Sequence, residues 1–349
     1  MGLRGQYTRP MAGPSPAGRL PDDFGAPALL ARIRGSFREG AVNGARELTF
    51  GAFGTGCRIA YVATPQVAAA FQTAVLAWVA AFEAKWSRFW DASLVSRINA
   101  AAGKEPVALD PDADRIFALC HELHFLTRGV FDPTALPLLK LWDWRRQRTD
   151  LPTDAEITEA KARVGWRGVQ RAPGKIFLPR AGMGIDLGGM GKEYAVDQVA
   201  MLARAHGCTS ALVDFGADIR AFGPPPDGRA AWHIGLEDPR NPGTCWTGLA
   251  VLDAAVATSG DYVRKFDAGG TRFGHIIDIR TGRPVSNGVL SVSVLAPSCT
   301  QAGMLTTSIF TLGAEEGRKL LDTTMGVEGA IVTETQTLVS RRFHAYATA

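Results

Sequence analysis

The chain has 349 residues, of which 46% are hydrophobic and 21% charged, and its net charge is +4. This is ordinary globular composition, with length enough for one large domain or two ordinary ones. A small net charge, and no basic run interleaved with aromatics, give nucleic-acid binding no support. The five cysteines (Cys57, Cys120, Cys208, Cys245, Cys299) are scattered without a CxxC pair. That argues against a disulfide framework or a zinc site and for reduced thiols in a cytoplasm-like compartment. The apolar runs read as too short for a membrane helix. Residues 1–45 are rich in Arg, Pro, Gly and Ala, with neither an apolar signal core nor a lipobox-like cysteine. They read as a flexible leader, with Met11 as an alternative start, ahead of one folded domain at 46–349. A cytoplasmic protein is expected.

Structure is expected to begin near Leu48. Cys57–Ala63 reads as a strand behind the turn Phe53-Gly54-Thr55-Gly56. Thr64-Pro65 supplies an N-cap and a first-turn proline for a helix with Phe71, Val75, Trp78, Val79 and Phe82 on one core-facing side. The stretch Trp86–Ser93, leading into Ser96-Arg97-Ile98-Asn99, is aromatic and polar without a period and suits a structured loop. Asp112–Arg128 reads as a helix ended by Gly129; its His121 and His124 lack a third metal ligand and are expected to be surface or core histidines. Phe131-Asp132-Pro133-Thr134 and an apolar run to Trp142 and Trp144 follow, then a capping box at Thr153–Glu156.

The stretch from Gly182 to Ala200 carries the strongest local signal. Ile185-Asp186-Leu187 reads as a strand end, Gly188-Gly189-Met190-Gly191 as a break, and Lys192 onward as a helix. A helix opened through glycines aims backbone N–H groups and a positive dipole end at one spot, which suits a phosphate held together with Lys192. A plain strand-to-helix turn is the other reading. Beyond it, Ala211–Phe215, Asp218–Phe222, Trp232–Leu236, Gly248–Leu252 and Ala255–Thr258 read as antiparallel strands, Gly274–Asp278 as a short strand, and Val289–Leu295 as a half-buried one. Helices are expected over Ala302–Leu312 and Ala314–Leu321, and closing strands over Gly329–Thr333 and Thr337–Arg341. The pattern is α+β, with antiparallel sheets and inserted helices.

Four polar segments interrupt this regular, apolar background: Asp186–Lys192, Ser259–Tyr262, His275–Asp278 and Thr306-Thr307. Each has a structural reading as a turn or a cap. Together they offer an amide cradle, a cation, oxygen ligands for a divalent metal and one base, the parts that phosphate-ester chemistry requires. His275, with an ordinary pKa of about 6.5, suits general-base work at neutral pH.

In these motifs the chain resembles the ApbE family of FAD:protein FMN transferases. Asp186–Lys192 with Tyr194–Asp197 is similar to the family's DLGGIAKGYAVD, Val256–Tyr262 to its ATSGDY, and His275–Gly282 to its HIIDPRTG. Phe131–Thr134, Ser96–Asn99 and Asp214–Ile219 are similar to FDPT, SRIN and NLGGDI. The resemblance runs in order from about Phe53 to Gly313. It implies a tunnelling-fold-like architecture and a Mg²⁺-dependent enzyme that cleaves FAD, attaches FMN to a Thr or Ser of an acceptor flavoprotein and releases AMP. It also implies His275 as base and FAD contacts at Phe53, Phe89, Val130, Phe131, Asp132, Asp186, Lys192 and Ile277. The metal is implied at Gly189, Gly303, Thr306 and Thr307. An FAD pyrophosphatase and a non-catalytic FAD-binding protein are the alternatives. At two positions the chain departs from the family in ways that bear on the metal. Gly303 stands where the family has the Asp of ADALAT, and Gly191-Lys192-Glu193 replaces Ala-Lys-Gly. Glu193 is thus a candidate replacement carboxylate whose direction the sequence does not give. Ile279 replaces the proline of HIIDP and is expected to matter little.

Overall fold

The computed structural model describes residues 24–143, 150–260, 265–268 and 271–348. Its helices are α1 (Ala26–Ser36), α2 (Pro65–Trp86), α3 (Leu94–Ala100), α4 (Pro111–Leu126), α5 (Leu136–Leu141), α6 (Asp154–Ala162), α7 (Gly191–Ala205), α8 (Cys299–Leu312) and α9 (Ala314–Thr323). The main sheet consists of β1 (Arg38–Val42), β2 (Ala45–Ala52), β3 (Thr55–Val62), β4 (Ser210–Phe215), β5 (Ile219–Phe222), β6 (Ala255–Gly260), β7 (Val289–Ala296), β8 (Glu328–Thr333) and β9 (Thr337–Val339). These nine strands lie side by side in chain order, and every neighbouring pair is antiparallel. The sheet is a single meander; α1 precedes it, a 3-10 turn (Phe343–Ala345) and a short strand (Ala347–Thr348) follow it, and the other elements are insertions between its strands. This is the α+β architecture expected from the patterning.

Alternation along the strands sends side chains to two covered faces. Val213, Phe215, Ile59, Phe50, Val292 and Val294 face the helices, whereas Leu212, Ala60, Ile219 and Leu295 face a small sheet that includes Trp232 and Ile234. β7 is therefore buried on both sides rather than half-buried as expected, because α8 lies on one face and the small sheet on the other. The helix α2 starts as its sequence dictates, with Thr64 accepting from the Val67 N–H at 3.4 Å and Pro65 in the first turn. Its Phe71, Val75 and Val79 are fully buried, and each such side chain contributes about 1.5–3 kcal/mol.

Other expectations are corrected. By length and composition α2 is apolar enough to cross a membrane, contrary to the sequence reading, but half of its most apolar window is buried inside the protein. The leader does not extend to residue 45: α1 and β1 belong to the fold, with Leu29 and Ile33 buried in the core. Residues 1–23, Trp144, Asp261 and Tyr262 lie outside the described residues. The segment 184–187 is extended without being a strand. Its backbone is bound by the Asn99 side chain and the Pro133 carbonyl instead of by a neighbouring strand. The expected strand Gly274–Asp278 is divided, since Thr271–Gly274 pairs with Lys265–Ala268 while Ile277–Asp278 pairs with Arg283–Pro284.

Candidate active site

Strand register sets the site at one end of the meander. The β2–β3 turn at Phe53-Gly54, the β4–β5 turn at 216–218 and the end of β6 at Ser259-Gly260 share that edge, because Cys57 pairs with Phe215 and Val256 with Ile219. On the helical face, α7 starts at this edge, where its Lys192 reaches Phe215 and Asp218. In α8 the chain arrives here with Thr306 and Thr307, which meet Ser259 of β6. The two helices are antiparallel neighbours: Asp197 of α7 bonds Cys299 and Thr300 of α8, and Glu193 lies on Gly303.

The glycine loop is positioned by side chains outside it. Asn99 donates to the Ile185 carbonyl at 3.0 Å and accepts from the Ile185 N–H at 2.6 Å, so the SRIN element acts as a side-chain substitute for a neighbouring strand. Asp186 accepts from the Gly188 N–H at 2.6 Å and pairs with Arg88. A Cβ at Gly188 would stand 2.7 Å from the Asp186 carboxylate, which would have to turn away from the Gly188 N–H. Over Gly189 stands the Phe131 ring, at 3.7 Å from the place of a Cβ. Met190, the residue before α7, supplies no side-chain cap. Lys192 donates to the Phe215 carbonyl at 2.9 Å and pairs with buried Asp218, so its charge is already shared. Near it, burial pushes the Asp214 carboxyl above its usual range, while the Ala217 N–H, Arg58 and Lys192 pull it back.

The aromatic positions are held in different ways. Phe53 has φ of 54°, a left-handed conformation rare for a bulky residue, and its N–H donates to Glu83 at 3.1 Å. Arg32 of α1 donates to the same carboxylate at 2.7 Å, so the helix assigned to the leader braces this turn. Phe53 packs on Phe215 with centroids 5.7 Å apart. Phe89 is 59% exposed beneath the Arg88 guanidinium, 4.1 Å from the ring centre. Val130 is half-buried and Phe131 buried, and His124 Nδ1 donates to the Phe131 carbonyl at 2.8 Å. His124 is thus a core histidine that fixes this loop. Asp132 accepts from the N–H of Thr134 at 2.8 Å, its hydroxyl at 2.5 Å and the Trp166 N–H at 3.0 Å. Its carboxylate is largely consumed in holding the loop.

His275 is half-buried and Ile277 half-buried beyond it. Their hairpin is anchored through its turn: Trp142 donates to the Gly282 carbonyl at 2.7 Å and Lys161 to the Arg280 carbonyl at 2.6 Å. Asp278 binds Arg280 through backbone and guanidinium. α5 joins this hairpin to the glycine segment, since Leu136 lies against Gly184 and Trp142 follows the helix directly.

The hydroxyl cluster forms where the end of β6 meets α8. Ser259 donates to Thr306 at 2.9 Å and is 3.4 Å from Thr307, and Thr306 donates to the Gly303 carbonyl at 2.9 Å. A Cβ on Gly303 would stand 2.5 Å from Glu193 Cγ and 3.1 Å from Oε1, so the glutamate fills the space a side chain at 303 would need. Glu193 Oε2 is buried without a hydrogen-bond partner. Glu193 packs on Gly303, whose carbonyl accepts from Thr306 of the hydroxyl cluster, and a buried carboxylate oxygen together with such hydroxyls is a chemistry that fits a hard divalent cation. Sequence alone assigns no role to Asn99, Asp197 or Asp218. Only the motif spacing around them was visible, because their partners are distant in the chain.

Residues 53–331 match the ApbE family. The chain is 35% identical over 260 residues to the FAD:protein FMN transferase of Treponema pallidum, covering 69% of this chain and 71% of that one. It is 32% identical over 269 residues to that of Vibrio cholerae, covering 76% and 80%. The solved ApbE protein of Thermotoga maritima superposes with a TM-score of 0.80 at 31% identity, over 87% of this chain and 100% of that one. For the flavin transferase ApbE of Vibrio cholerae the TM-score is 0.78 at 28% identity, over 86% and 99%. The chain belongs to the ApbE family, that of these FAD:protein FMN transferases.

Proposed function

We propose that this chain moves FMN from FAD onto a Ser or Thr hydroxyl of an acceptor flavoprotein. The observation that carries the reading is the meeting, at one sheet edge, of the glycine-opened start of α7, Lys192 and the Ser259–Thr306–Thr307 hydroxyls. In the reaction the acceptor oxygen forms a bond to the FMN phosphorus, the pyrophosphate P–O bond breaks, and AMP leaves. His275 takes the hydroxyl proton. The amides before α7 and Lys192 hold phosphate oxygens, while Phe53, Phe89 and Phe131 offer ring faces, and Val130, Asp132, Asp186 and Ile277 shape the surrounding walls. Thr307, Thr306 and a backbone oxygen near Gly189 would hold Mg²⁺, which supplies Lewis-acid polarisation of the pyrophosphate. Five free thiols, four of them buried, suit a reducing, cytoplasm-like compartment, and burial holds Cys57 and Cys120 at about 12, far from a reactive thiolate.

The test is incubation of the full chain with FAD, Mg²⁺ and an acceptor carrying a Thr target. Covalent flavin on the acceptor supports transfer, free FMN without labelling supports hydrolysis, and unchanged bound FAD supports a binding protein. His275→Gln is expected to lower transfer by about 10²–10⁴ while FAD affinity stays nearly constant. Parallel loss of FAD affinity would assign His275 to binding instead.

A further inference from the structure

Glu193 is 8% exposed, and its Oε2 has no hydrogen-bond partner. Lys192 of α7 and Arg220 of β5 pair with other carboxylates, Asp218 and Asp197, not with Glu193. A lone buried carboxylate is costly unless it is paired, protonated or bound to metal. The Glu193 carboxylate also occupies the space beside Gly303, one helical turn before Thr307, whose hydroxyl lies 3.4 Å from Ser259. Hydroxyls and a buried carboxylate, both within a turn of Gly303 on α8, supply the oxygen ligands that a divalent cation takes. Among the described residues no cluster of three His, Cys, Asp or Glu offers another.

We propose that Glu193 is the anionic metal ligand of this enzyme, delivered from α7 into the space left by glycine at 303 on α8. Gly303 is then the necessary complement, since any larger residue there displaces the glutamate. The remaining positions around the cation fall to the Thr306 and Thr307 hydroxyls, a backbone oxygen near Gly189, waters and the phosphate oxygens of FAD, so cation and FAD reinforce each other's binding. The inference rests on the proposed function only for the identity of FAD.

Mn²⁺ serves as the probe, titrated into the full-length chain with and without saturating FAD and followed by electron paramagnetic resonance. The proteins are wild type, Glu193→Gln and the exchange Glu193→Gly with Gly303→Asp, each checked for folding by circular dichroism. Glu193→Gln should weaken Mn²⁺ binding by more than ~10-fold, since even partners one shell further out are worth about 10–100-fold. The exchange should recover most of that loss. Wild-type affinity in Glu193→Gln, or no Mn²⁺ binding by wild type even with FAD, overturns the inference. Should Glu193→Gln not fold, the exchange decides alone: binding supports the inference and its absence overturns it. FMN transfer by the same wild-type sample separates the two claims. Transfer with Mn²⁺ binding indifferent to Glu193 leaves the function and removes the inference. Glu193-dependent Mn²⁺ binding without transfer does the reverse.

Discussion

Two buried carboxylates, one turn apart on α7, show how differently one helix face can be used. Asp197 is fully buried and saturated. It accepts from the N–H groups of Cys299 and Thr300 at 2.9 Å, the Thr300 hydroxyl at 2.7 Å and Arg220 at 2.5 Å. It therefore satisfies orphan donors at the start of α8 and complements the helix dipole from a neighbouring element. Glu193 is nearly as buried and yet has an oxygen without a partner. A saturated buried charge is architecture. An unsaturated one is free energy held in reserve for a ligand. The same helix thus ties α8 in place through Asp197 and sets a buried, unpartnered carboxylate oxygen one turn away.

The comparison predicts opposite consequences for the two residues. Asp197→Ala leaves Arg220 unpaired and the N–H groups of Cys299 and Thr300 without their acceptor, and should cost about 3 kcal/mol or more in urea unfolding, as removal of one partner from a buried pair does. A loss no larger than that of an ordinary surface substitution would break the comparison. Gly303→Asp places a Cβ 2.5 Å from Glu193 Cγ. It should destabilise the fold by about 1–3 kcal/mol through overpacking and like charge. Combining it with Glu193→Gly should restore stability, and a failure to do so would mean that the close approach at 303 is not the cause.

Glu193→Gln should lie within about 1 kcal/mol of wild type in metal-free urea unfolding, or above it, because it removes a charge that has no partner. A large loss would give Glu193 an architectural role like that of Asp197. The smallest effect concerns Asp214, whose carboxyl burial pushes up. A raised folded value means that its favourable contribution is complete below the unfolded value and is lost as pH rises through the folded one. Asp214→Asn, which keeps an acceptor for the Ala217 N–H, should therefore raise the melting temperature at neutral pH. That gain should vanish in acid, and a gain independent of pH would mean the charge is not its source.

Much of this was legible in the sequence because it is local. Glycines before a helix, Thr64-Pro65 and the Thr153–Glu156 box announce themselves within a few residues, and the structure places each at an element start. What was not legible depends on distant partners. Asn99 reads as one polar residue in a loop until Ile185 is placed beside it. The Asp132 carboxylate looks available until Trp166 claims it. Arg32 sits in an apparent leader, yet holds Glu83 and through it the Phe53 turn. Gly303 was visible as a missing carboxylate, but only the antiparallel packing of α7 on α8 shows that Glu193 fills its place.

The most direct measurement is a crystal structure of the full chain with Mn²⁺ and FAD, with the metal located by its anomalous scattering. A metal peak is expected at about 2.1 Å from a Glu193 carboxylate oxygen, in contact also with FAD phosphate oxygens. A metal bound to FAD with Glu193 outside its coordination sphere, or FAD bound away from the start of α7, would contradict this expectation.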